Sequence, residues 1–356
     1  MGHSFLMNPF GKYRGIKLNG SFIPTAKIKA GDYPLPENSI LAAAIQFAEE
    51  LFDPADTIGV KTSGSTGDPK LFTFPKAALE QSAKATISFF NLLPQSRAAL
   101  ALPMDYIAAK MMVTRAVVGG FNIDVAQPSA TPLPEGAQPD FIPVTPHQMQ
   151  EIIARQNDLL QRQTTFLIGG GPIDERLKAN LVERQITAYA SFGMTETLSH
   201  FALAAINEEP LIFKPLPGVK IKQSEIGALA VKWPGITGDW LETNDLVEIR
   251  NGGFKWLGRS DFLINSGGVK IIPEQVESEL RKHLDSPFFI HGVPDEVLGV
   301  KAVLFIEGEK GENLDFLDRV KWQSKYHRPK EVMYIPQFKR TESGKIKRTE
   351  TVEAQR

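Results

Sequence analysis

Cysteine is absent from the 356 residues, which removes disulfides, thiolate metal sites and a cysteine nucleophile in one step. Charge of neither sign is in excess: 40 Lys and Arg stand against 41 Asp and Glu, a formal net charge of -1. No global field therefore recruits nucleic acid or an acidic membrane face, and a small anionic substrate needs a local site. No stretch approaches the roughly 18 uninterrupted apolar residues of a membrane span. The opening MGHSFLMNPFGKYRGIKLNG lacks the apolar core of a signal peptide. The expectation is a protein that inserts in no membrane, binds no nucleic acid and works in a reducing cytoplasm. The six histidines are scattered, without a close histidine and carboxylate cluster, so any metal is expected to arrive with a ligand. Internal repeats and long low-complexity tracts are also missing; Ala126 to Asp140, polar and proline-containing, reads as a loop.

What is present is a globular composition, 42% apolar, in a chain long enough for one large domain and a smaller one with its own core. Ile40, Ala44, Ile45, Ala48, Leu51 and Phe52 recur at helical spacing over Ser39 to Phe52, with Asn38 as a candidate cap. Strand patterns follow at Thr57 to Val60, Ala98 to Leu102, Phe121 to Val125, Phe141 to Val144, Thr165 to Ile168 and Ile186 to Ala190. Helical patterns lie between them, from Pro75, near Ala108 to Val118, after Pro146 and over Asp174 to Val182. Such alternation implies a mainly parallel sheet covered by helices. From about Gly227, GALAVKW and DLVEIRNGGFKWLG read as antiparallel hairpins, with Asn251, Gly252 and Gly253 as a turn. After Gly258 come a hairpin in FLINSGGVKII, a helix from Pro273 to Leu284, strands around Phe288 to Val293 and Ala302 to Ile306, and another helix. The expected class is α/β: a large domain, residues 1–260, with a mainly parallel sheet and added hairpins, then a small α+β domain, residues 261–356.

The strongest local feature is TSGSTGDPK, Thr62 to Lys70, after a short strand and before a helix. Gly64 and Gly67 let backbone amides approach an anion, Ser63, Ser65 and Thr66 add hydroxyl donors, and Lys70 adds a cation. These groups suit a polyphosphate. A nucleoside-triphosphatase P-loop requires G-x-x-x-x-G-K followed by Ser or Thr. Gly59 and Gly64 have that glycine spacing, but Ser65 and Thr66 follow, and Pro69 precedes Lys70. Taken alone, the segment could also be a polar turn.

Four more segments occur in order behind it: SFGMTET at Ser191 to Thr197, ETNDLVEI at Glu242 to Ile249, GRSDFLINSGGVKIIPEQVE at Gly258 to Glu277 and RTESGKIKR at Arg340 to Arg348. Together the five, spread from Thr62 to Arg348, resemble the adenylate-forming superfamily of acyl-CoA synthetases, luciferases and peptide-synthetase adenylation domains. The resemblance implies ATP, Mg2+ and CoA as reaction partners of a small carboxylic acid. The acid would attack the α-phosphorus of ATP to form an acyl-AMP, which a thiol then attacks. Thr62, Ser63, Gly64, Ser65, Thr66, Gly67 and Lys70 would hold the β- and γ-phosphates. Within SFGMTET, beside Ser191 and Gly193, Phe192 would lie against the adenine, Thr195 would meet the α-phosphate and Glu196 would ligate the magnesium ion. Asp245 would accept the ribose hydroxyls, with Arg259 near the ribose or phosphate. Gly169, Gly170 and Gly171 would admit backbone to the adenine and acyl group, although a glycine run after a strand is otherwise a tight turn. Lys345 occupies the position of a mobile lysine that bridges the acyl carboxylate and the α-phosphate electrostatically. For it to enter and leave, the small domain would rotate about Asp261, and Gly267 and Gly268 would then face the thiol channel. The plain alternative there is a hairpin turn in a rigid domain.

Within the superfamily the chain is most similar to compact o-succinylbenzoate-CoA ligases of menaquinone biosynthesis. Residues 1–61 are few for the stretch ahead of the loop, so part of the usual amino-terminal subdomain is expected to be missing. Three positions depart from the family pattern: Tyr106 in LPMDYIAAKMM stands where a pocket histidine is usual, Asn244 replaces a glycine, and GAL at Gly227 lacks a glutamate. The Tyr106 change puts the usual gating of the acyl pocket in doubt. o-Succinylbenzoate carries a second carboxylate that needs donors or a positive group, and Lys110, Ser199 and His200 are candidates. Each also has a structural reading: Lys110 as a solvated helix residue, Ser199 as a structural hydroxyl and His200 as a hydrogen-bonded interior histidine. Alternatives left open are another aryl- or acyl-CoA ligase, a carrier-loading adenylation enzyme, and a nucleotide-binding protein without catalysis.

Overall fold

The computed structural model describes residues 8–33, 39–61, 70–133, 136–156, 160, 163–207, 210–309, 314–341 and 346–355. Ahead of Ser39, where the sequence pattern suggests no regular element, the chain forms a hairpin, β1 (Gly15–Leu18) and β2 (Ser21–Pro24). Asn19 and Gly20 turn it at φ of 48° and 78°, the double positive φ of a type I′ turn. Helix α1 (Thr25–Ala30) leads to α2 (Ser39–Phe52), whose bounds match the sequence pattern and whose Ala44, Ile45, Phe47, Ala48, Leu51 and Phe52 are buried.

β3 (Thr57–Lys61) and β4 (Leu71–Pro75) form a separate antiparallel pair flanking residues 62–69. This corrects the expectation that Thr57 to Val60 belongs to the parallel series. Ile58 and Val60 are buried while Thr57, Gly59 and Lys61 are exposed, the alternation of a strand covered on one face, not of a parallel strand covered on both.

The βα series then runs α3 (Lys76–Phe90), β5 (Arg97–Leu100), α4 (Ile107–Gly119), β6 (Asn122–Val125), β7 (Phe141–Val144), α5 (Pro146–Arg155), β8 (Thr165–Ile168), α6 (Glu175–Glu183) and β9 (Ala188–Met194). Helix starts are set by local chemistry. Thr145 Oγ1 accepts from the Gln148 amide at 3.1 Å, and the Gln148 side chain accepts from Thr145 N at 3.0 Å, a capping box before Pro146. Asp174 caps α6 by accepting from Leu177 N at 2.7 Å. β10 (Ser199–Ala205) folds back antiparallel on β9, and β11 (Lys214–Pro215) pairs beyond it. The resulting nine-stranded sheet has the order β11-β10-β9-β8-β7-β5-β6-β1-β2, parallel from β9 through β1 and antiparallel at both margins.

A second, antiparallel sheet comprises β12 (Lys220–Gln223), β13 (Ala228–Lys232), β14 (Leu241–Arg250) and β15 (Gly253–Arg259). Phe213 and Phe254 exchange backbone hydrogen bonds of 2.9 and 3.0 Å and so join it to the large sheet. The remaining chain builds β16 (Ile264–Ser266), β17 (Val269–Ile271), α7 (Pro273–Leu280), β18 (Phe288–Asp295), β19 (Gly299–Glu307), β20 (Glu331–Ile335) and α8 (Arg348–Glu353). α7 ends four residues before the expected Leu284, which is still buried in the turn that follows. Among the described residues, the buried apolar clusters from Phe10 to Phe254 are separate from those formed by Ile264 and later residues.

Candidate active site

Thr62, Ser63, Gly64, Ser65, Thr66 and Gly67 of the phosphate loop, and Lys345, lie outside the described residues. Lys70 is exposed at the start of β4. The candidates that are described fall into three groups, around the β9–β10 hairpin, on β14–β15, and at the start of the carboxyl-terminal unit.

On β9, Ser191 donates to the Ile168 carbonyl at 3.0 Å, tying the strand to the end of β8. Gly169, Gly170 and Gly171 follow β8, and Gly170 has a φ of 83°. Phe192 is half-buried and packs on Phe201, Phe213 and Phe254 at centroid distances of 5.8, 5.1 and 5.0 Å. This aromatic cluster holds the ring while leaving part of it accessible. Gly193 runs so close to Ser199 and His200 of β10 that a Cβ there would overlap their backbone. Thr195 and Glu196 occupy the turn between the strands, half-buried, and Thr197 closes it by accepting from Met194 N at 3.0 Å and engaging Ser199 O at 2.8 Å. Leu198 and Ser199 then take φ of 51° and 82°, a conformation that costs non-glycine residues roughly 1–3 kcal/mol each. Ser82 of α3 donates to Leu198 O at 3.0 Å and helps hold the strained turn.

Beneath this turn lies a residue that the motifs do not flag. Arg115 of α4 is 1% exposed and has no ion pair with any described carboxylate. Its Nη2 reaches Ser199 Oγ at 3.5 Å, and its Nε is buried without a hydrogen-bond partner. Burial pushes the guanidinium down to about 9. His200 is buried beside it, with Nε2 at 3.1 Å from Thr86 Oγ1 and Nδ1 at 3.4 Å from Ser199 Oγ. Burial first, and the Arg115 charge second, hold this imidazole well below the usual histidine range, so it is neutral at pH 7. Lys110 lies elsewhere: its ammonium sits over the Phe47 ring at 5.3 Å. Tyr106 is the half-buried residue preceding α4.

On the second sheet, Asp245 and Arg259 are register partners of β14 and β15. Trp256 Nε1 donates to Asp245 Oδ1 at 2.9 Å, and Arg259 Nη1 approaches the same oxygen at 4.0 Å. Burial raises the Asp245 carboxyl, opposed by the Trp256 hydrogen bond and the Arg259 charge. Arg259 turns its fork onto Asp261, at 2.9 and 2.7 Å, in the turn Ser260–Phe262. This bidentate pair spans the expected boundary.

Gly267 and Gly268 form the two-residue turn of the β16–β17 hairpin at φ of 56° and 80°, a type I′ turn for which glycine is suited. Glu274, in the first turn of α7, packs against Gly258 of β15, where a Cβ would meet its carboxylate. One of its oxygens is buried without a partner. Burial pushes this carboxyl up to about 6, against the opposing effects of Arg348 and the backbone amides of Glu274 and Arg259.

No group of three or more His, Cys, Asp and Glu side chains among the described residues could hold a metal ion. Glu196 offers a half-buried carboxylate with no ion pair to another described residue. One hard oxygen donor of this kind fits Mg2+, which commonly takes one or two carboxylates together with substrate phosphates. No described helix is long and apolar enough to cross a membrane.

Residues 37–238 match the family described as AMP-binding enzyme. A 2-succinylbenzoate-CoA ligase of Listeria monocytogenes serovar 1/2a is 25% identical over 364 residues, covering 94% of this chain and 76% of its own. Among solved structures, an acyl-CoA synthetase (AMP-forming)/AMP-acid ligase II-like protein from Dyadobacter fermentans is 34% identical, with a TM-score of 0.61 over 91% of this chain and 97% of its own. The o-succinylbenzoate CoA synthetase of Bacillus subtilis, in complex with the acyl-adenylate intermediate OSB-AMP, shares the fold at a TM-score of 0.72 and 24% identity, over 82% of this chain and 68% of its own.

Proposed function

The chain belongs to the AMP-binding enzyme family, and from that premise we propose that it activates o-succinylbenzoate as an acyl-AMP and then transfers the acyl group to CoA. The first step joins a carboxylate oxygen to the α-phosphorus of ATP and expels pyrophosphate. In the second, a thiol attacks the acyl carbon and AMP leaves, since AMP is a far better leaving group than oxide.

The residues divide this work by position. Phe192, fixed by its aromatic neighbours, offers a face to the adenine, and Asp245, held by Trp256, accepts ribose hydroxyls. Thr195 and Glu196 share the tight turn at which the α-phosphate is read. Bound with the nucleotide on Glu196, Mg2+ would neutralise phosphate charge. Thr62 to Gly67 with Lys70 hold the outer phosphates, and Lys345 supplies positive charge between the two anions that must meet. Asp261 as hinge between residues 1–260 and 261–356 is supported by the separate apolar cores on its two sides.

The observation that carries the choice of acid is Arg115. A guanidinium taken out of water without a counter-ion costs several kcal/mol, and a carboxylate beside it would offset that cost. o-Succinylbenzoate has one carboxylate to activate and one to spare. Ser199 adds a hydroxyl and His200 a neutral imidazole to the same place. A second carboxylate docked on Arg115 is thereby distinguished from the one presented to ATP.

The test is pyrophosphate release from ATP and Mg2+ across a panel of carboxylic acids, with and without CoA. CoA-stimulated release with o-succinylbenzoate, and not with acids lacking the second carboxylate, is the expected result. Activity confined to another acid would retain the ligase and remove the substrate. Activity only with a carrier protein would replace CoA as acceptor, and silence across the panel would leave a nucleotide-binding protein.

A further inference from the structure

Thr86 belongs to none of the five motifs, yet it stands near the far end of a chain of hydrogen-bonding groups that begins at Arg115. From the guanidinium outward, Arg115 Nη2 is 3.5 Å from Ser199 Oγ, Ser199 Oγ is 3.4 Å from His200 Nδ1, and His200 Nε2 is 3.1 Å from Thr86 Oγ1. Thr86 Oγ1 then donates to Ser82 O, one turn back on α3, at 3.3 Å. Arg115 and His200 are 1% and 3% exposed, and Thr86 and Ser82 are fully buried. The chain therefore runs through the interior, from α4 by way of β10 to α3.

Its two ends have a fixed sense, because a guanidinium only donates and a backbone carbonyl only accepts. Thr86 directs its one hydroxyl proton to Ser82 O, a local acceptor commonly used by a helical threonine. The Thr86 oxygen is then left to accept, which assigns the ring proton of His200 to Nε2. A neutral imidazole has one donor and one acceptor nitrogen, so Nδ1 is bare and accepts from the Ser199 hydroxyl. Ser199 in turn offers its lone pairs to Arg115. The opposite tautomer would take the Thr86 proton away from Ser82 and aim an N–H dipole toward the Arg115 charge, which already disfavours a second proton on this ring.

Every proton in the chain thus points away from the guanidinium and every lone pair toward it. Bonds aligned in this way polarise one another, and they orient a guanidinium whose Nε has no partner of its own. We propose that Thr86 is a positioning residue for the acid: by holding His200 in the Nε2–H tautomer, it turns the Ser199 oxygen toward Arg115 and fixes the guanidinium where a second carboxylate docks. This rests on the reading of Arg115 given above. Being fully buried, Thr86 acts only through His200 and Ser199, and it has no part in binding ATP.

Thr86→Val keeps the shape of the side chain and removes the hydroxyl. Its KM for o-succinylbenzoate is expected to rise about fivefold or more, the worth of roughly one net hydrogen bond, while KM for ATP and kcat stay within about twofold. Thr86→Ser, which keeps the hydroxyl, should restore the KM for the acid. Nitrogen-15 NMR of the ligand-free enzyme labelled at histidine, with the His200 signals assigned by their loss in His200→Gln, should show a proton on Nε2 and none on Nδ1. A neutral ring protonated at Nδ1, an unchanged KM for the acid in Thr86→Val, equal changes for acid and ATP, or no recovery in Thr86→Ser would overturn the proposal. Arg115→Met is the control on its premise: if KM for o-succinylbenzoate does not rise there, the second-carboxylate reading and this proposal fall together. A rise in Arg115→Met with none in Thr86→Val removes only the role of Thr86.

Discussion

Arg115 places a charge in the part of the molecule least able to solvate it. The interior favours the neutral form, which is why the guanidinium is pushed down to about 9. Because this lowered value belongs to a base, the energetic cost is fully present below about pH 9 and fades as pH rises above it toward the ordinary arginine range of the unfolded chain. Arg115→Met should accordingly raise the thermal stability of the ligand-free protein at pH 7. The same substitution should raise KM for o-succinylbenzoate by roughly tenfold to a hundredfold, the worth of a charge-assisted hydrogen bond, with KM for ATP unchanged. Steady-state kinetics and a melting curve check both; an equal change for every acid, or none, would remove Arg115 from the acyl site. The residue was visible in the sequence as a single cation inside MMVTRAVV, but a lone arginine on a helix is ordinarily solvated. Only the packing of α4 under the strained Leu198–Ser199 turn separates it from Lys110, whose ammonium is over Phe47.

Between elements, the contact of α7 with β15 is built on Glu274. Its carboxyl is raised to about 6 by burial, so the folded state binds a proton more tightly than the unfolded one. The stability that this group withholds is therefore absent below about pH 4.5 and grows as pH rises through about 6. Glu274→Gln should stabilise the protein at pH 7.5, by about 2 kcal/mol at most for such a shift, and leave it unchanged near pH 4.5. Denaturant unfolding across that range checks it; a gain of equal size at both ends would assign the effect to packing. Elements themselves were legible where pattern length sufficed. α2 and β8 coincide with their sequence patterns because each shows a whole apolar face or a short apolar run bounded by turns. β1 and β2 were missed because GIKL and SFIP, unlike TFLI of β8, hold no apolar run of three residues, and β20 because its pairing with β19 is long-range. β3 had the right period but the wrong partner, since a strand pattern does not specify what it pairs with.

For the whole molecule, the proposed phosphate loop and mobile lysine rest on the sequence order of five motifs, because Thr62 to Gly67 and Lys345 lie outside the described residues. The fold then brings Phe192 and Asp245 onto two sheets joined by Phe213 and Phe254, a juxtaposition that spacing alone does not reveal. If the small unit turns about Asp261 between half-reactions, Asp261→Pro should slow thioester formation more than adenylation. Asp261→Ala, which loses the Arg259 pair but not the backbone freedom, should spare the difference between the two. Unchanged overall turnover in the proline variant would reject the rotation.

A single turnover with ATP labelled at the α-phosphate, o-succinylbenzoate and excess enzyme, first without CoA and then with it, addresses the chemistry directly. Label should accumulate in an acyl-bound AMP species with stoichiometric pyrophosphate, and be released as AMP when CoA is added and thioester forms. Formation of ADP, or of thioester without a labelled intermediate able to discharge to CoA, would contradict an adenylate-forming ligase.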